Sequence, residues 1–591
     1  MIHPVLIVGA GPSGATMALL LAHYGIGSVL VDRRSEPSPH PAAHVISTRT
    51  VEILRQLGLE YELRRMGTPL HHLRDIVYST TVAGAELGRI TLLDPESDEA
   101  QHLEAISPTR AVNLPQNLLE TLLWERIAQH PEIDFRPATT YQGHYHHHDS
   151  RNTRVVTLQR DADGTETLAE ARYLVGADGA GSHVRRNCGI GLQGPVLQHV
   201  VGVHFTADLG HLLWNKPAPV IWTHTGAGVA TLIVHKMPTE FVFQFPYFPP
   251  AQAVEDFTEA LCQAKIHAAL GDYATDIHIR AVRGWTMTAQ VADTFDNRRC
   301  FLIGDAAHRF PPTGGLGLNT GVHDAHNLAW KVAWTLNGSA PTRLLDTYTA
   351  ERRPVALRNA AQSVRNLEGT YEVLTALGLP RRGTDTLGRL AASRTLATMP
   401  RKTHSAVVNA LTAMGTQRLR IAALPTWPGT RVRARAATAI ADQAGHYRSW
   451  GLDLGVQYRH GFLSGKPEFD AEDVQTYTPT IAVGARLPHA WIVSANGRTS
   501  TLDLIAPDSP TLIVDLARSH PWITAARRSP YHVCVRAVTI SDAVYAELAT
   551  GSIALLARPD GHVAAILRGA EGEEQHSLEL ALAQLGLTGE E

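Results

Sequence analysis

The sequence predicts an α/β protein built on a buried parallel sheet, with an antiparallel sheet inserted between two halves of it. Three observations carry this. Short apolar, β-branched runs at Pro4–Val8, Ser28–Val31, Tyr173–Val175 and Cys300–Ile303 read as strands covered on both faces. The first two frame a glycine-rich turn and a helix, Ala15–Tyr24, that Gly25 and Gly27 stop, making a β-α-β unit. The stretch 195–285 instead alternates apolar and polar residues, as in GVATLIVHK and EFVFQFPYF, so one face of that sheet is covered and could wall a ligand pocket.

A chain of 591 residues is too long for one core, so several domains are expected. The formal net charge of −3, without a basic bias, argues against a nucleic-acid partner. No apolar run approaches the roughly 18–20 residues needed to cross a bilayer. The opening MIHPVLIVGAGPSG lacks a basic n-region, so no membrane association and a cytoplasmic location are expected. The four cysteines, Cys188, Cys262, Cys300 and Cys534, form no CxxC pair. That excludes a dithiol redox motif and a cysteine-based zinc site, and it suits a reducing cytoplasm.

Between the motifs the chain reads as follows. A loop carrying Pro37, Pro39 and Pro41 leads into RTVEILRQLGLEYELRRMG, a helical pattern ending at Gly58 or Gly67. Residues 70–105 read as irregular strands, LPQNLLETLLWERIAQH as a helix, 130–175 as a meander and Asn319–Leu336 as a strong helix. LPTWPGT, at Leu424–Thr430, is a proline-rich break expected to be a linker. Beyond it lie the apolar run 511–517, two strands within 552–567 around a Pro559-Asp560-Gly561 turn, and a C-terminal helix.

Three motifs carry chemistry. GAGPSG places Gly9, Gly11 and Gly14, with Pro12 and Ser13 between them, at the strand-to-helix turn. Gly9 permits the turn, Gly11 lets backbone approach a pyrophosphate, and Gly14 lets helix pack on strand. The helix N-terminus supplies unpaired N–H groups to that anion. Asp32 ends the next strand, where a ribose hydroxyl is expected, and Arg33 beside it is assigned to the same cofactor set. The second motif, RYLVGADGAGSHVRR, delivers Asp178-Gly179, then Ser182 and Arg185. The third, RRCFLIGDAAHRFPPTGGLGLNTGVHDAHNLAWK, delivers Gly304-Asp305 and then a loop through Pro312, Gly315, Gly317, Leu318 and Asn319 into a long helix. The N–H groups opening that helix suit an electron-rich oxygen.

In this order, over residues 4–360, the three motifs resemble the single-component aromatic hydroxylases, the flavoprotein monooxygenases related to p-hydroxybenzoate hydroxylase and phenol hydroxylase. The resemblance implies a Rossmann-like FAD-binding domain, with FAD as cofactor and NADPH or NADH as a transient co-substrate. It gives the GD motif the FAD ribityl chain and the DG motif contacts to both cofactors. Arg49, in STRTVEIL, matches the arginine near the FAD pyrophosphate, and Gln116, in LPQNLLE, the glutamine near the cofactor. Residues 451–491 are similar to the C-terminal extension of phenol hydroxylase-like enzymes, a thioredoxin-like domain without redox cysteines. That extension implies a structural role or a subunit contact, and a homodimer is compatible with it. The expected domains are 1–190 with 286–365 for FAD, 191–285 with part of 68–108 for substrate, 366–425 as a helical connector and 430–591 as the thioredoxin-like domain.

By the same resemblance, NAD(P)H reduces FAD, O2 adds at the flavin C4a position, and the hydroperoxide delivers OH to a phenolic or polyketide aromatic ring. Ionising a phenol makes its ring carbons better nucleophiles, so a base is expected, and His44, five residues before Arg49, is the candidate. The plainer alternative is an exposed loop histidine. Pro312 is expected to aim its backbone carbonyl at the substrate hydroxyl. Leu316 stands where p-hydroxybenzoate hydroxylase has lysine, which argues against a carboxylate-bearing substrate. Trp222 and Phe245, with Phe243 and Tyr247, are candidates for lining the pocket, against ordinary core packing. Arg309 is placed at substrate, cofactor or solvent. The run HYHHHD, His144–Asp149, reads as a solvated hairpin tip, with no metal expected because no cysteine or acidic cluster of ligand spacing joins it. Baeyer–Villiger or epoxidising chemistry on the same fold, or a flavin-binding protein without catalysis, are the competing readings. A halogenase signature, W-x-W-x-I-P, is absent from the sequence.

Overall fold

The computed structural model describes residues 2–69, 74–92, 98–148, 153–214, 216–226, 228–271, 273–379, 400–465, 473–494, 497–551, 553–568 and 572–585, with 386, 391 and 393. Five parallel strands form the first sheet, in the spatial order Cys300–Leu302, Glu166–Gly176, Ile2–Val8, Ser28–Val31 and Ile133–Arg136. Their apolar runs lack alternation because both faces are covered, and Val5, Leu6, Ile7, Val29, Leu30 and Val31 have no exposed surface. Helix Pro12–His23 packs on helices Gln116–Ile127 and Leu316–Asn337. The strand Glu166–Gly176 changes partner along its length. Residues 166–171 pair antiparallel with Thr153–Arg160, which pairs in turn with Thr140–His148.

The second sheet has seven strands, ordered His278–Thr288, Val196–Thr206, Glu240–Tyr247, Gly228–Lys236, Val220–Thr225, Asp75–Ser79 and Glu86–Thr91. It is antiparallel except where Val220–Thr225 meets Asp75–Ser79. Alternation decides what each face carries. Val203, Phe205, Phe241, Phe243 and Phe245 pack under helix Glu259–Leu270 and Phe257. The residues between them occupy the opposite face, where His204 and His235 lie against His40 and His44 and Trp222 packs with Tyr78 and Tyr447.

The C-terminal sheet is thioredoxin-like: Cys534–Val538, Thr511–Asp515, Ala554–Ala557 and Val563–Leu567, the first pair parallel and the others antiparallel. Helices Ser519–Arg528 and Glu574–Leu585 pack on it.

The chain between the sheets differs from expectation. Leu424–Thr430 is no extended linker: Thr426 caps a helix, Trp427–Ala441, with Pro428 in its first turn. A proline that breaks a helix can equally start one, because the first turn needs no N–H from it. This helix packs on strand Glu86–Thr91, so residues 430–441 belong to the layer over the second sheet rather than to the C-terminal domain. Helix Thr347–Ala376 likewise runs unbroken past residue 365. Most of the expected connector between 380 and 399 lies outside the described residues. The single helix expected over RTVEILRQLGLEYELRRMG is two, Thr48–Gln56 and Glu60–Met66, with Gly58 and Gly67 each ending one.

Buried charges lock the C-terminal domain to the first. Glu52 lies between Arg49 (2.9 Å) and Arg486, whose Nε donates to it at 3.0 Å. Glu351 accepts from Lys331 (2.9 Å) and from both terminal nitrogens of Arg558 (3.0 and 2.7 Å). Arg558 also pairs with Asp560, in the turn between the last two strands.

Candidate active site

The glycine turn is pinned from both sides. Asp32 Oδ2 accepts the Ala10 N–H at 2.7 Å, and Trp124 Nε1 donates to the Ala10 carbonyl at 2.8 Å. Gly9 has φ of 102°, and a Cβ on Gly14 would lie 1.9 Å from the Gly9 carbonyl oxygen, so strand and helix touch backbone to backbone. A Cβ on Gly11 would meet nothing within 4 Å, which leaves the cradle above the uncapped helix N-terminus open. Ser13 sits where this helix meets two points of the third motif: a Cβ on Gly304 would lie 2.6 Å from its Oγ, and one on Gly321 2.3 Å.

Asp305 is the one exposed residue within Cys300–His308. Crowding by protein raises its carboxyl above the ordinary range, partly offset by His308 and Arg309. The loop behind it hangs on Asp324, which accepts from Gly304 N (3.2 Å), His308 Nε2 (2.6 Å) and Arg352 Nε (2.8 Å). Beyond the loop, helix Leu316–Asn337 starts at Gly315 in the left-handed region with no side-chain cap, and the space beside Gly317 is open. Two uncapped helix N-termini, open space over Gly11 and Gly317, and a carboxylate turned outward between them fit FAD. Its pyrophosphate suits the first helix, its ribityl hydroxyls Asp305 and its ring the second helix.

Several expected cofactor residues work differently. Arg33 is exposed, while Arg34 pairs with Asp32 (3.1 Å) and Glu120 (2.7 Å), so the basic residue shaping this corner is the next one along. Arg49 is buried, and its guanidinium is held by Glu52 and by the Asp560 carbonyl (2.7 Å), so it takes part in the contact with the C-terminal domain. Gln116 bonds to Glu120 (2.9 Å) and Ala43 N, bracing the 38–46 loop. Asp178 caps the short helix His183–Asn187, accepting from Ser182 Oγ (2.5 Å), His183 N (2.6 Å) and Val184 N (3.0 Å). The Asn319 side chain clamps the neighbouring segment, donating to the Val45 carbonyl (3.0 Å) and accepting from Ser47 N (2.9 Å), so only its backbone remains for a cofactor. Leu318, in the first turn of that helix, is half-buried.

The same clamp brings His44 beside the Pro312 loop. His44 Nδ1 lies 2.6 Å from Asn113 Oδ1, and burial moves the imidazole below its ordinary pKa despite that bond. With the amide oxygen accepting, Nδ1 carries the proton and Nε2 keeps its lone pair. Pro312 is exposed, and its carbonyl accepts Gly315 N at 3.0 Å, one lone pair remaining. Facing His44 edge-on is His235, ring centroids 5.5 Å apart; both its nitrogens are buried without a partner. Trp222, on the same face of the sheet, stacks on Tyr78 and donates Nε1 to Tyr447 Oη (2.9 Å). Phe245 is a correction. It lies on the far face, against Phe257 and under Lys265, with Phe243 and Tyr247. Two-residue periodicity makes the odd-numbered residues of that strand core. Arg309 lies 3.5 Å from Gln290 Oε1.

The histidine run also departs from expectation. His144 is not at a solvated tip: half-buried, it lies 3.4 Å from Cys300 Sγ and 3.9 Å from Cys188 Sγ. The cysteine pair, 112 residues apart in the chain, is assembled only by the fold. Asp149 lies outside the described residues.

His235, Tyr78, Tyr447 and Asp324 were not singled out from sequence. Asp324 lies inside the third motif, and strand alternation alone was enough to place His235 on the Trp222 face.

Comparison with known proteins now decides the family. Residues 3–363 match the FAD binding domain, and residues 480–586 match the aromatic-ring hydroxylase C-terminal domain. The chain belongs to the FAD-dependent aromatic-ring hydroxylases. A 2,4-dichlorophenol 6-monooxygenase of Cupriavidus pinatubonensis is 31% identical to it, over 95% of this chain and 92% of that one. Among solved structures, the flavin-dependent monooxygenase PieE, in complex with FAD and substrate, is 32% identical with a TM-score of 0.85, covering 99% of each chain. Aklavinone-11 hydroxylase with FAD and aklavinone is 27% identical with a TM-score of 0.75, again over 99% of each. This hydroxylase is therefore a flavoprotein monooxygenase, with FAD as its cofactor and NAD(P)H as co-substrate. Among the described residues no helix is long and apolar enough to cross a membrane.

Proposed function

We propose that this hydroxylase inserts one oxygen atom into a phenolic ring, of a simple phenol or an aromatic polyketide, with His44 as the base that takes the phenol proton. The observation that carries this is the His44–Asn113 bond, which fixes one tautomer beside the partnerless nitrogens of His235. Bound FAD supplies the redox and oxygen chemistry. The chain's residues prepare the other reactant. His44 Nε2 accepts the phenolic proton, which raises electron density at the ortho and para carbons. His235, kept neutral by burial next to His44, His204 and His40, offers an N–H or a lone pair to a second oxygen of the substrate. The free lone pair of the Pro312 carbonyl fixes a hydroxyl hydrogen on the opposite side, and Trp222 lines the flat wall against which a ring can lie.

The relatives support the substrate class. One is named for 2,4-dichlorophenol and another was solved with aklavinone. The test is a panel of phenols and phenolic polyketides, followed by NAD(P)H oxidation, O2 uptake and product mass. A gain of one oxygen on a phenol supports the reading; oxygen inserted into a ketone's C–C bond, with phenols inert, refutes it.

A further inference from the structure

At the end of the GD-motif strand remote from Gly304, three side chains from three segments converge. Cys300 opens the strand whose other end carries Gly304, Cys188 follows helix His183–Asn187 of the DG motif, and His144 lies on strand Thr140–His148. Their Nε2 and two Sγ atoms all lie within 4.8 Å of one another, the one such group among the described residues with ligand atoms close enough for a metal ion. We propose that His144, Cys188 and Cys300 form a binding site for a thiophilic divalent cation of the zinc type.

The geometry supports this in detail. Tetrahedral zinc, with sulfur at about 2.3 Å and nitrogen at about 2.0 Å, holds its ligand atoms about 3.5–3.8 Å apart. The nitrogen–sulfur separations of 3.4 and 3.9 Å bracket that range before any adjustment. The imidazole is already oriented. Tyr141 Oη lies 2.5 Å from Nδ1 and itself accepts from Asn187 Nδ2 (3.1 Å), so Nδ1–H on the phenol leaves the Nε2 lone pair facing the sulfurs. This is the outer-shell support that metal-bound histidines have. Two thiol protons leave as the cation enters, the two thiolates balance its charge, and water completes the tetrahedron. Such a cation would tie the DG-motif helix, the GD-motif strand and the meander together.

The test uses FAD-loaded protein purified under reducing conditions, stripped with a chelator, incubated with zinc and freed of excess. One tightly held zinc per chain is expected, lost in the Cys188→Ser/Cys300→Ser double variant and weakened in His144→Ala. Cobalt in place of zinc should show thiolate charge-transfer absorption and tetrahedral d–d bands to the red of the flavin. Zinc should shield Cys188 from a thiol reagent. Equal zinc in wild type and double variant overturns the site. Should the double variant not fold, the wild-type cobalt spectrum decides: without thiolate bands, or with the thiols found joined as a disulfide, the proposal fails.

Discussion

Asn113 Oδ1 lies 2.6 Å from His44 Nδ1, while Asn113 Nδ2 donates to Thr68 Oγ1 at 3.0 Å, so the amide cannot rotate without losing both bonds. This pair sets the protonation chemistry of the cleft. His44→Ala is expected to lower kcat/KM for a phenol by about 10²-fold or more, leaving FAD binding intact. Because burial holds the imidazole below 6.5, the wild-type kcat/KM should fall only as pH drops below that value, and the variant should lack this limb. A pH–rate profile of both enzymes checks it.

Asp305 turns a carboxylate into the cradle with no protein partner among the described residues. Asp305→Ala should weaken FAD binding by about 10-fold or more, the worth of one hydrogen bond to a charged group. Quenching of FAD fluorescence on titration with apoprotein measures this.

A methyl group on Gly14 would overlap the Gly9 carbonyl oxygen at 1.9 Å, a backbone atom that cannot swing aside. Gly14→Ala should yield colourless or insoluble protein. Gly11→Ala has room for its methyl, so it should fold, with any loss confined to FAD affinity. Soluble yield and the flavin-to-protein absorbance ratio separate the two.

Phe245 and Trp222 lie on opposite faces of one sheet. Phe245→Ala should cost about 3–5 kcal/mol of stability, as large-to-small core changes do. Trp222→Phe should leave the melting temperature nearly unchanged and move KM. Thermal unfolding and steady-state kinetics on both variants test the assignment of faces.

Glu52 is held down to about 2 by Arg486 and Arg49, against burial. Its carboxylate form is favoured in the folded state, so its contribution is complete above the ordinary value of 4.5 and is lost as pH falls from there through about 2. The difference corresponds to about 3 kcal/mol. Glu52→Gln should flatten the acid side of the stability–pH curve, measured by denaturant unfolding between neutral and acid pH.

How much of this was legible in the sequence follows from the range of each interaction. The strands at Val5, Val29, Leu174 and Phe301 announce themselves because covered parallel strands must be apolar throughout. The glycines at 9, 11 and 14 are legible because their role is local backbone geometry. Phe245 was misread because composition says aromatic, whereas the face is set by register. The partner of Arg49, the Asp560 carbonyl, was not legible because it lies 511 residues away. Cys188 and Cys300 looked isolated for the same reason: spacing along the chain reports neighbours only within an element, and theirs are made by the sheet. The Thr426 cap shows a local signal read in one of its two senses.

The Arg558–Asp560 turn has a consequence for how the enzyme comes apart. Arg558 neutralises Glu351, on helix Thr347–Ala376, and Asp560 meets Arg49 and Asn327, all of them interior to the flavin-binding half. Detaching the tail would strip Glu351 of Arg558, leaving it Lys331 alone, and Glu52 of Arg486, leaving it Arg49 alone, so buried charges would lose part of their compensation, a larger penalty than exposing a smooth face. The two halves should therefore melt as a single cooperative unit. A protease nick between them should release neither fragment while the flavin stays bound.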